Sequence, residues 1–114
     1  MEAFHYRKNV GNAAVEHCFY VPSKNIMFAL RRERRSDGFF EEYRLVDDLN
    51  RLYEARKVME GTLRAGIWEL RKLEIDEYFL DDLVKGVTHE NATHKQNHYL
   101  FEMLCRFVDS SVAH

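Results

Sequence analysis

The sequence predicts an α+β fold, in which a small N-terminal antiparallel β-meander is followed by about three α-helices. Two observations lead to this prediction. Short runs rich in β-branched and aromatic residues, separated by turn-forming residues, fill the first part of the chain. Leucines then recur with helical spacing from Leu45 onward. We therefore expect a single domain over residues 1–114, mainly β over 1–44 and mainly α over 45–114.

The first half of the meander is predicted to be a β-hairpin. Residues 15–21, VEHCFYV, are rich in β-branched and aromatic residues, and their alternate side chains divide into two sets, as in a strand. Turn-forming residues follow at 22–25. Residues 26–33, IMFALRRE, then supply the second strand, and residues 3–8, AFHYRK, supply a further one.

The segment after the next turn signal has two interpretations. Ser36-Asp37-Gly38 predicts a turn, because glycine readily takes a positive φ. Residues 39–46, FFEEYRLV, would then form the third strand of the meander. The alternative is a helix over 39–44, since the aromatic residues there also suit one helical face and Asp37 could cap it. We favour the strand.

One long amphipathic helix is predicted over about 45–73. Nine positions alternate in spacing between four and three residues, and seven of them are apolar. These positions are Leu45, Leu49, Leu52, Arg56, Met59, Leu63, Gly66, Leu70 and Leu73. Gly61 and Gly66 each disfavour a helix by about 1 kcal/mol relative to alanine, so the helix could kink or break near them.

Two shorter helices are predicted after the long one. Asp76 can cap the first, EYFLDDLVK, and Gly86 would end it. Asn91 or Thr93 can cap the last helix, which runs to about Val108.

Composition favours a cytoplasmic protein that does not bind membranes. The 114 residues carry a net charge of −2, unlike proteins whose affinity comes mainly from neutralising phosphates. No apolar run approaches the ~20 residues of a membrane span, and the polar N-terminal residues do not resemble a signal peptide. Cys18 and Cys105 lie among apolar neighbours, as buried free thiols do.

The leucine stripe is the first candidate interaction site. A continuous helix of about 29 residues would span roughly 40 Å, whereas a chain of this size has a radius of gyration of about 13 Å. One end would project, and a homodimer is the simplest way to cover it. The protein-interface candidates are Leu45, Leu49, Leu52, Arg56, Met59 and Leu63. The same stripe also suits an internal core, and the net charge of −5 over residues 41–90 suits a basic partner protein.

A run of arginines is the second candidate site, for nucleic acid or an acidic partner. Arg31, Arg32, Arg34 and Arg35 surround Glu33 near the end of a predicted strand. Guanidinium groups bind phosphates and carboxylates through paired hydrogen bonds, and nearby aromatic side chains can stack on bases. The alternative is that these charges keep an edge strand from pairing with other chains.

The histidine-rich stretch HENATHKQNH, residues 89–98, is the third candidate site. In a helix that begins near Glu90, the residues Glu90, His94, His98 and Glu102 are spaced by four and share one stripe. Two histidines four apart on a helix can bind zinc or another transition metal. The HExxH motif is absent, so a solvated polar face is the alternative.

No catalytic motif is recognisable in the sequence. A phosphate-binding glycine loop, a nucleophile elbow and a Cys-x-x-Cys pair are all missing. We therefore expect a non-enzymatic protein without a cofactor, an adaptor, inhibitor or regulator that acts through protein–protein contacts as a dimer. A nucleic-acid-binding regulator is the first alternative, and a histidine-based metal-binding protein is the second.

Overall fold

The computed structural model describes residues 1–88, which form one five-stranded antiparallel sheet and two helices. In chain order the elements are β1 (Glu2–Val10), β2 (Ala14–Val21), β3 (Ile26–Arg35), β4 (Gly38–Val46), α1 (Leu49–Met59), β5 (Ile67–Glu74) and α2 (Glu77–Thr88). The strands are ordered β4-β3-β2-β1-β5 across the sheet. The mixed class and the N-terminal antiparallel meander agree with the prediction.

Residues 39–44 belong to strand β4, so the helical alternative for this segment is wrong. The β3–β4 register pairs Arg31 with Glu42 and continues over the whole segment. Gly38 begins the strand with a φ of 132°, which glycine adopts and other residues rarely do. Pairing with β3 therefore outweighs the weak strand preference of the glutamates.

The single helix predicted over 45–73 is wrong. The chain instead completes β4, forms α1 and a loop, and then forms β5. The leucine spacing fits a helix numerically, but Leu45 pairs with Phe28 in one ladder and Leu73 pairs with Ala3 in another. Strand β5 takes the outer edge of β1, a partner that a local apolar period cannot reveal.

Helix α1 begins and ends at recognisable capping residues. At its N-terminus the Asp48 carboxylate accepts a backbone N–H at 2.8 Å. At its C-terminus Gly61 has a φ of 80°. The N–H groups of Gly61 and Thr62 donate to the carbonyls of Val58 and Lys57, respectively. These two bonds form a Schellman motif, in which a left-handed residue closes the helix.

Helix α2 begins where the sequence predicted and ends later. The Asp76 carboxylate accepts the N–H of Tyr78 at 2.8 Å, which makes Asp76 the N-cap. The helix continues past Gly86 to Thr88 instead of ending at the glycine. The third predicted helix and Cys105 lie outside the described residues.

The sheet carries an apolar core on each of its two faces, one under each helix. Ala55 and Val58 of α1 pack in the first core, on what we call the α1 face. Leu80 of α2 packs with Phe19 and Phe28 in the second core, on the α2 face. Alternate residues of the central strand β2 thus point to different faces, and polar side chains are withdrawn from solvent on both: Glu16 is buried and His17 is half-buried.

Candidate functional site

A buried ion pair lies on the α1 face. Glu16 of β2 is only 5% exposed, and its Oε1 accepts a hydrogen bond from Arg51 Nη2 of α1. A carboxylate buried without a partner would be strongly destabilising, so a cation is needed opposite it. Burial tends to lower the pKa of the Arg51 guanidinium, but its hydrogen bond and charge interaction with Glu16 raise it above the usual value.

The ion pair belongs to a charged network between the sheet and α1. Lys8 Nζ donates to both carboxylate oxygens of Glu54, at 2.8 and 2.9 Å. Arg51 Nε lies 3.9 Å from Glu54 Oε1. Positive and negative groups therefore alternate from Lys8 through Glu54 and Arg51 to Glu16, which fixes the position of α1 on the sheet.

Cys18 and Tyr6 lie beside this network in unreactive forms. The Cys18 thiol is fully buried, and its Sγ donates to Glu16 Oε1 at 3.4 Å. Burial and the charge of Glu16 raise the pKa of Cys18 to about 12, so the nucleophilic thiolate does not form near neutral pH. Burial likewise raises the pKa of Tyr6.

A polar cavity of about 250 Å³ lies next to the ion pair. Its lining residues come from β2, β3 and β4 and are Glu16, Ala29, Arg31, Glu42 and Arg44. The strand register places Glu16, Arg31 and Glu42 side by side, and it places Arg44 beside Ala29. Ala29 has the shortest side chain of the five and is buried, so it forms the floor.

Only some of the charges that line this cavity are paired, and their partners lie outside the lining. Arg31 Nη2 lies 3.3 Å from Glu33 Oε2. Arg31 Nε is buried and has no hydrogen-bond partner among the described residues. Within residues 1–88, Glu42 and Arg44 take part in no ion pair. The cavity therefore presents free groups of both signs.

A pair of histidines occupies the α2 face between β1 and β2. His5 Nε2 and His17 Nδ1 are 3.1 Å apart, and the two rings stack with centroids 5.4 Å apart. Burial lowers the pKa of His5 to about 3 and that of His17 to about 4, and nearby charges such as Arg7 act in the same direction. Both rings are neutral at pH 7 and share one hydrogen bond.

The predicted metal ligands lie beyond the described part of the chain. They are His94, His98, Glu90 and Glu102. Over residues 1–88, no three histidine, cysteine or acidic side chains are grouped closely enough to hold a metal ion. The metal hypothesis stays a prediction.

The predicted interface residues do not share one surface. Three of them pack in the core of the α1 face, namely Leu52, Met59 and Leu63. Leu45 packs against the core of the α2 face, whereas Leu49 and Arg56 are exposed. The stripe is divided because Leu45 belongs to strand β4, which ends at Val46, whereas the next members of the stripe belong to helix α1. Helix α1 has 11 residues and a length of about 16 Å, so it no longer requires a dimer partner to cover a projecting end.

The four arginines near the end of β3 are divided between the two faces of the sheet. Strand alternation places Arg31 and Arg35 on one face and Arg32 and Arg34 on the other. The Glu33 carboxylate lies 3.3 Å from Arg31 and 3.8 Å from Arg35. The Glu41 carboxylate of β4 lies 3.4 Å from Arg32. These arginines therefore do not form one continuous basic surface.

The sequence patterns identified Arg31 of the cavity lining, but not the other residues that form the buried pairs and the cavity. A signal was present in VEHCFYV, residues 15–21, where both sets of alternate side chains include large apolar residues. That pattern is typical of a strand covered on both faces, so Glu16 and His17 should both need partners. Their partners, Arg51 and His5, are 35 and 12 residues away, beyond any local pattern.

Comparison of the chain with protein-family models, with curated proteins and with solved structures gives no match. None of the helices described within residues 1–88 is long and apolar enough to cross a membrane. Function is therefore inferred from the geometry of the surfaces and the cavity.

Proposed function

We propose that this protein is a non-enzymatic adaptor, inhibitor or regulator that acts by binding another protein. One observation carries the proposal: Leu49 is 78% exposed and Tyr53 is 60% exposed, on the outer side of α1. Positions four apart on a helix are neighbours, so these side chains form one apolar patch. Large apolar residues of a helix normally face the core, and a pair that faces solvent supports a contact surface.

The residues around this patch suit a partner with a basic surface. Asp47 and Asp48 are exposed immediately before Leu49. Toward the C-terminal end of α1, Lys57 Nζ lies 5.2 Å from the centroid of the Tyr53 ring, in a cation–π contact. An aromatic centre with a charged rim is typical of protein interfaces. Acidic groups in the rim would mainly raise the rate of association with a basic partner.

The state of the nucleophilic and basic groups supports the non-enzymatic part of the proposal. Cys18 is buried with its pKa raised to about 12. His5 and His17 are bonded to each other with lowered pKa values, which makes both weak bases. In the described part of the chain, Cys18, His5 and His17 contact other side chains of the sheet.

The test is a pull-down from native lysate with surface variants, followed by binding measurements on the recovered partner. The double variant Leu49→Ser/Tyr53→Ser should lose a partner that the unmodified protein retains. Asp47→Asn should lower the association rate, and binding should weaken as salt is raised because the partner is basic.

Tyr78→Ser is the matched control, because Tyr78 is 81% exposed on α2, on the opposite face of the sheet. Equal recovery of the partner by the double variant and the unmodified protein would contradict the proposal, as would failure to recover any partner reproducibly. Light scattering completes the test. If the unmodified protein has twice the 13.6 kDa chain mass and the double variant has the mass of one chain, the partner is a second copy.

A further inference from the structure

We propose that the polar cavity beside the Glu16–Arg51 pair binds a small zwitterion, a molecule of the free amino acid class with one carboxylate and one ammonium group. The inference goes beyond the proposed function, because the cavity lies on β2, β3 and β4. The patch proposed for protein binding is formed by α1 side chains that do not line the cavity.

The volume of the cavity limits the size of its ligand. At about 250 Å³, it is smaller than the ~300–1,000 Å³ typical of sites for drug-sized molecules. A small amino acid fits within that space.

The lining supplies a complementary group for each end of such a ligand. Arg31 and Arg44 present guanidinium groups, which bind carboxylates through two parallel hydrogen bonds. Arg31 Nε is buried and, among the described residues, lacks a hydrogen-bond partner. Glu42 presents a carboxylate that can accept hydrogen bonds from an ammonium group.

The separation of the free charges favours a zwitterion over a simple anion. Glu42 and Arg44 are two residues apart on β4, so they share one face of the strand with Cα atoms about 6.8 Å apart. Neither is engaged in an ion pair within residues 1–88. A ligand that carries both charges can satisfy both residues at once, whereas acetate or phosphate would leave the Glu42 carboxylate unpaired beside an added anion.

Two neighbours keep the cavity formed before a ligand arrives. Arg51 holds the buried Glu16 carboxylate in place, so this wall does not have to become ordered on binding. Ala29 leaves the floor empty, and any longer side chain at that position would occupy the space of the ligand.

The test is isothermal titration calorimetry of the full chain with glycine, L-alanine, L-serine and L-asparagine, compared with acetate, methylammonium and inorganic phosphate. At least one amino acid should bind saturably. Each probe that carries charge of only one sign should bind about tenfold more weakly or not at all, because it leaves one charge of the cavity unpaired. In a parallel titration followed by NMR, the amide resonances of Ala29 and Arg44 should shift.

Variants then assign the binding to the cavity. Glu42→Gln and Arg44→Gln should each weaken binding by about tenfold or more, and because both side chains are exposed the fold should be retained. Ala29→Leu should abolish binding by filling the floor, with circular dichroism recorded to establish that it folds. Arg34→Gln is the matched control, since Arg34 is exposed on the other face of the sheet.

Three outcomes would overturn the proposal. The first is the absence of saturable binding and of resonance shifts with all four amino acids. The second is binding of acetate or phosphate as tight as that of the amino acids, which would define an anion site. The third is amino-acid binding that is unchanged in both Glu42→Gln and Arg44→Gln. None of these depends on whether a partner protein binds the outer side of α1.

Discussion

Glu16 and Arg51 each keep their charge in a buried position because the other is present. Removing one member of such a pair leaves an uncompensated charge, whereas replacing both with apolar side chains leaves an ordinary core. Glu16 also lines the cavity, together with residues of β3 and β4, and Arg51 also contacts Glu54 of the charged network. The pair therefore connects three strands with helix α1.

We predict that Arg51→Leu lowers the free energy of unfolding by about 3–5 kcal/mol, because it leaves the Glu16 carboxylate buried and unpaired. The double variant Glu16→Leu/Arg51→Leu should recover much of that loss. Urea unfolding followed by circular dichroism measures both. Arg56→Leu is the control, since Arg56 lies on the exposed side of the same helix. Additive losses in the double variant would contradict the prediction.

The histidine pair should make stability depend on pH. Burial and neighbouring cations hold the folded-state pKa of His5 near 3 and that of His17 near 4, below the unfolded value of 6.5. The unfolded chain therefore binds more protons below pH 6.5. The stability that the two neutral histidines contribute is fully present above pH 6.5. The free energy of unfolding then falls as the pH decreases toward 4, by about 1.4 kcal/mol per pH unit for each histidine.

Unfolding by urea at a series of pH values between 7 and 4.5 checks this expectation. His17→Gln removes one titrating ring and leaves a hydrogen-bonding side chain for His5. The dependence of unfolding free energy on pH should then drop by roughly half, because one histidine contributes about 1.4 kcal/mol per pH unit. A slope that is the same in the variant and the unmodified protein would show that these rings do not govern it.

At the scale of elements, local signals set where α1 begins and ends. Asp48 caps the helix, and Gly61 closes it in a left-handed conformation with a φ of 80°. The same glycine also conflicts with a helix that continues to Leu73, since its N–H bonds back to Val58.

Gly61→Ala should destabilise the protein by about 1–2 kcal/mol, because alanine in the left-handed region is strained. The added methyl group itself meets only an ordinary contact, with Arg64 Nη2 at 3.8 Å. Thermal unfolding measures the change. Glu60→Ala is the control, because Glu60 has a φ of −74°, which alanine adopts without strain. An unchanged melting temperature in Gly61→Ala would contradict the Schellman closure.

The second element-scale prediction concerns β5. Residues 67–74 should have the backbone chemical shifts of a strand, because they pair with β1. The register shifts between His5 and Arg7, and Glu69 at this irregularity has a φ of 55° and lies 3.0 Å from Arg7 Nε. Assignment of the backbone chemical shifts by NMR tests whether residues 67–74 form this strand. Helical shifts continuing from residue 60 to 74 would restore the long helix and refute this sheet.

At the scale of the whole molecule, the sheet is enclosed between two helices within residues 1–88, and β2 is its central strand. Both edges of β2 are paired, whereas β4 and β5 each pair along one edge within the same residues. The polar side chains of β2 are consequently buried or half-buried, whereas the patch of Leu49 and Tyr53 on α1 and the cavity mouth at Glu42 and Arg44 face solvent.

Hydrogen exchange should reflect this arrangement. We expect amides of β2 that bond to β1 and β3 to exchange slowest, through global unfolding, and amides of β4 and β5 to exchange faster through local opening. Exchange followed by NMR at several urea concentrations distinguishes the two routes. Protection as high in β5 as in β2 would contradict the placement of β5 at an edge of the sheet that residues 1–88 form.

Much of the fold was predictable because it depends on near neighbours. Alternation identified β2, and the carboxylate of Asp76 identified the start of α2. The charged and polar site was not predictable in the same way. Glu16 signals only that some cation must face it, and the chain offers seventeen lysines and arginines. Which of them does so depends on how α1 crosses the sheet.

The sequence by itself determined the mixed class, the meander, its turns at 22–25 and 36–38 and the N-cap of α2, because each follows from the chemistry of residues a few positions apart. Only the tertiary structure decided that the leucines from Leu45 to Leu73 divide among β4, α1, the following loop and β5, since a strand is completed by a distant partner. It also decided that Glu16 meets Arg51 and that His5 meets His17. Burial makes such pairs necessary, but packing of the whole sheet selects their members.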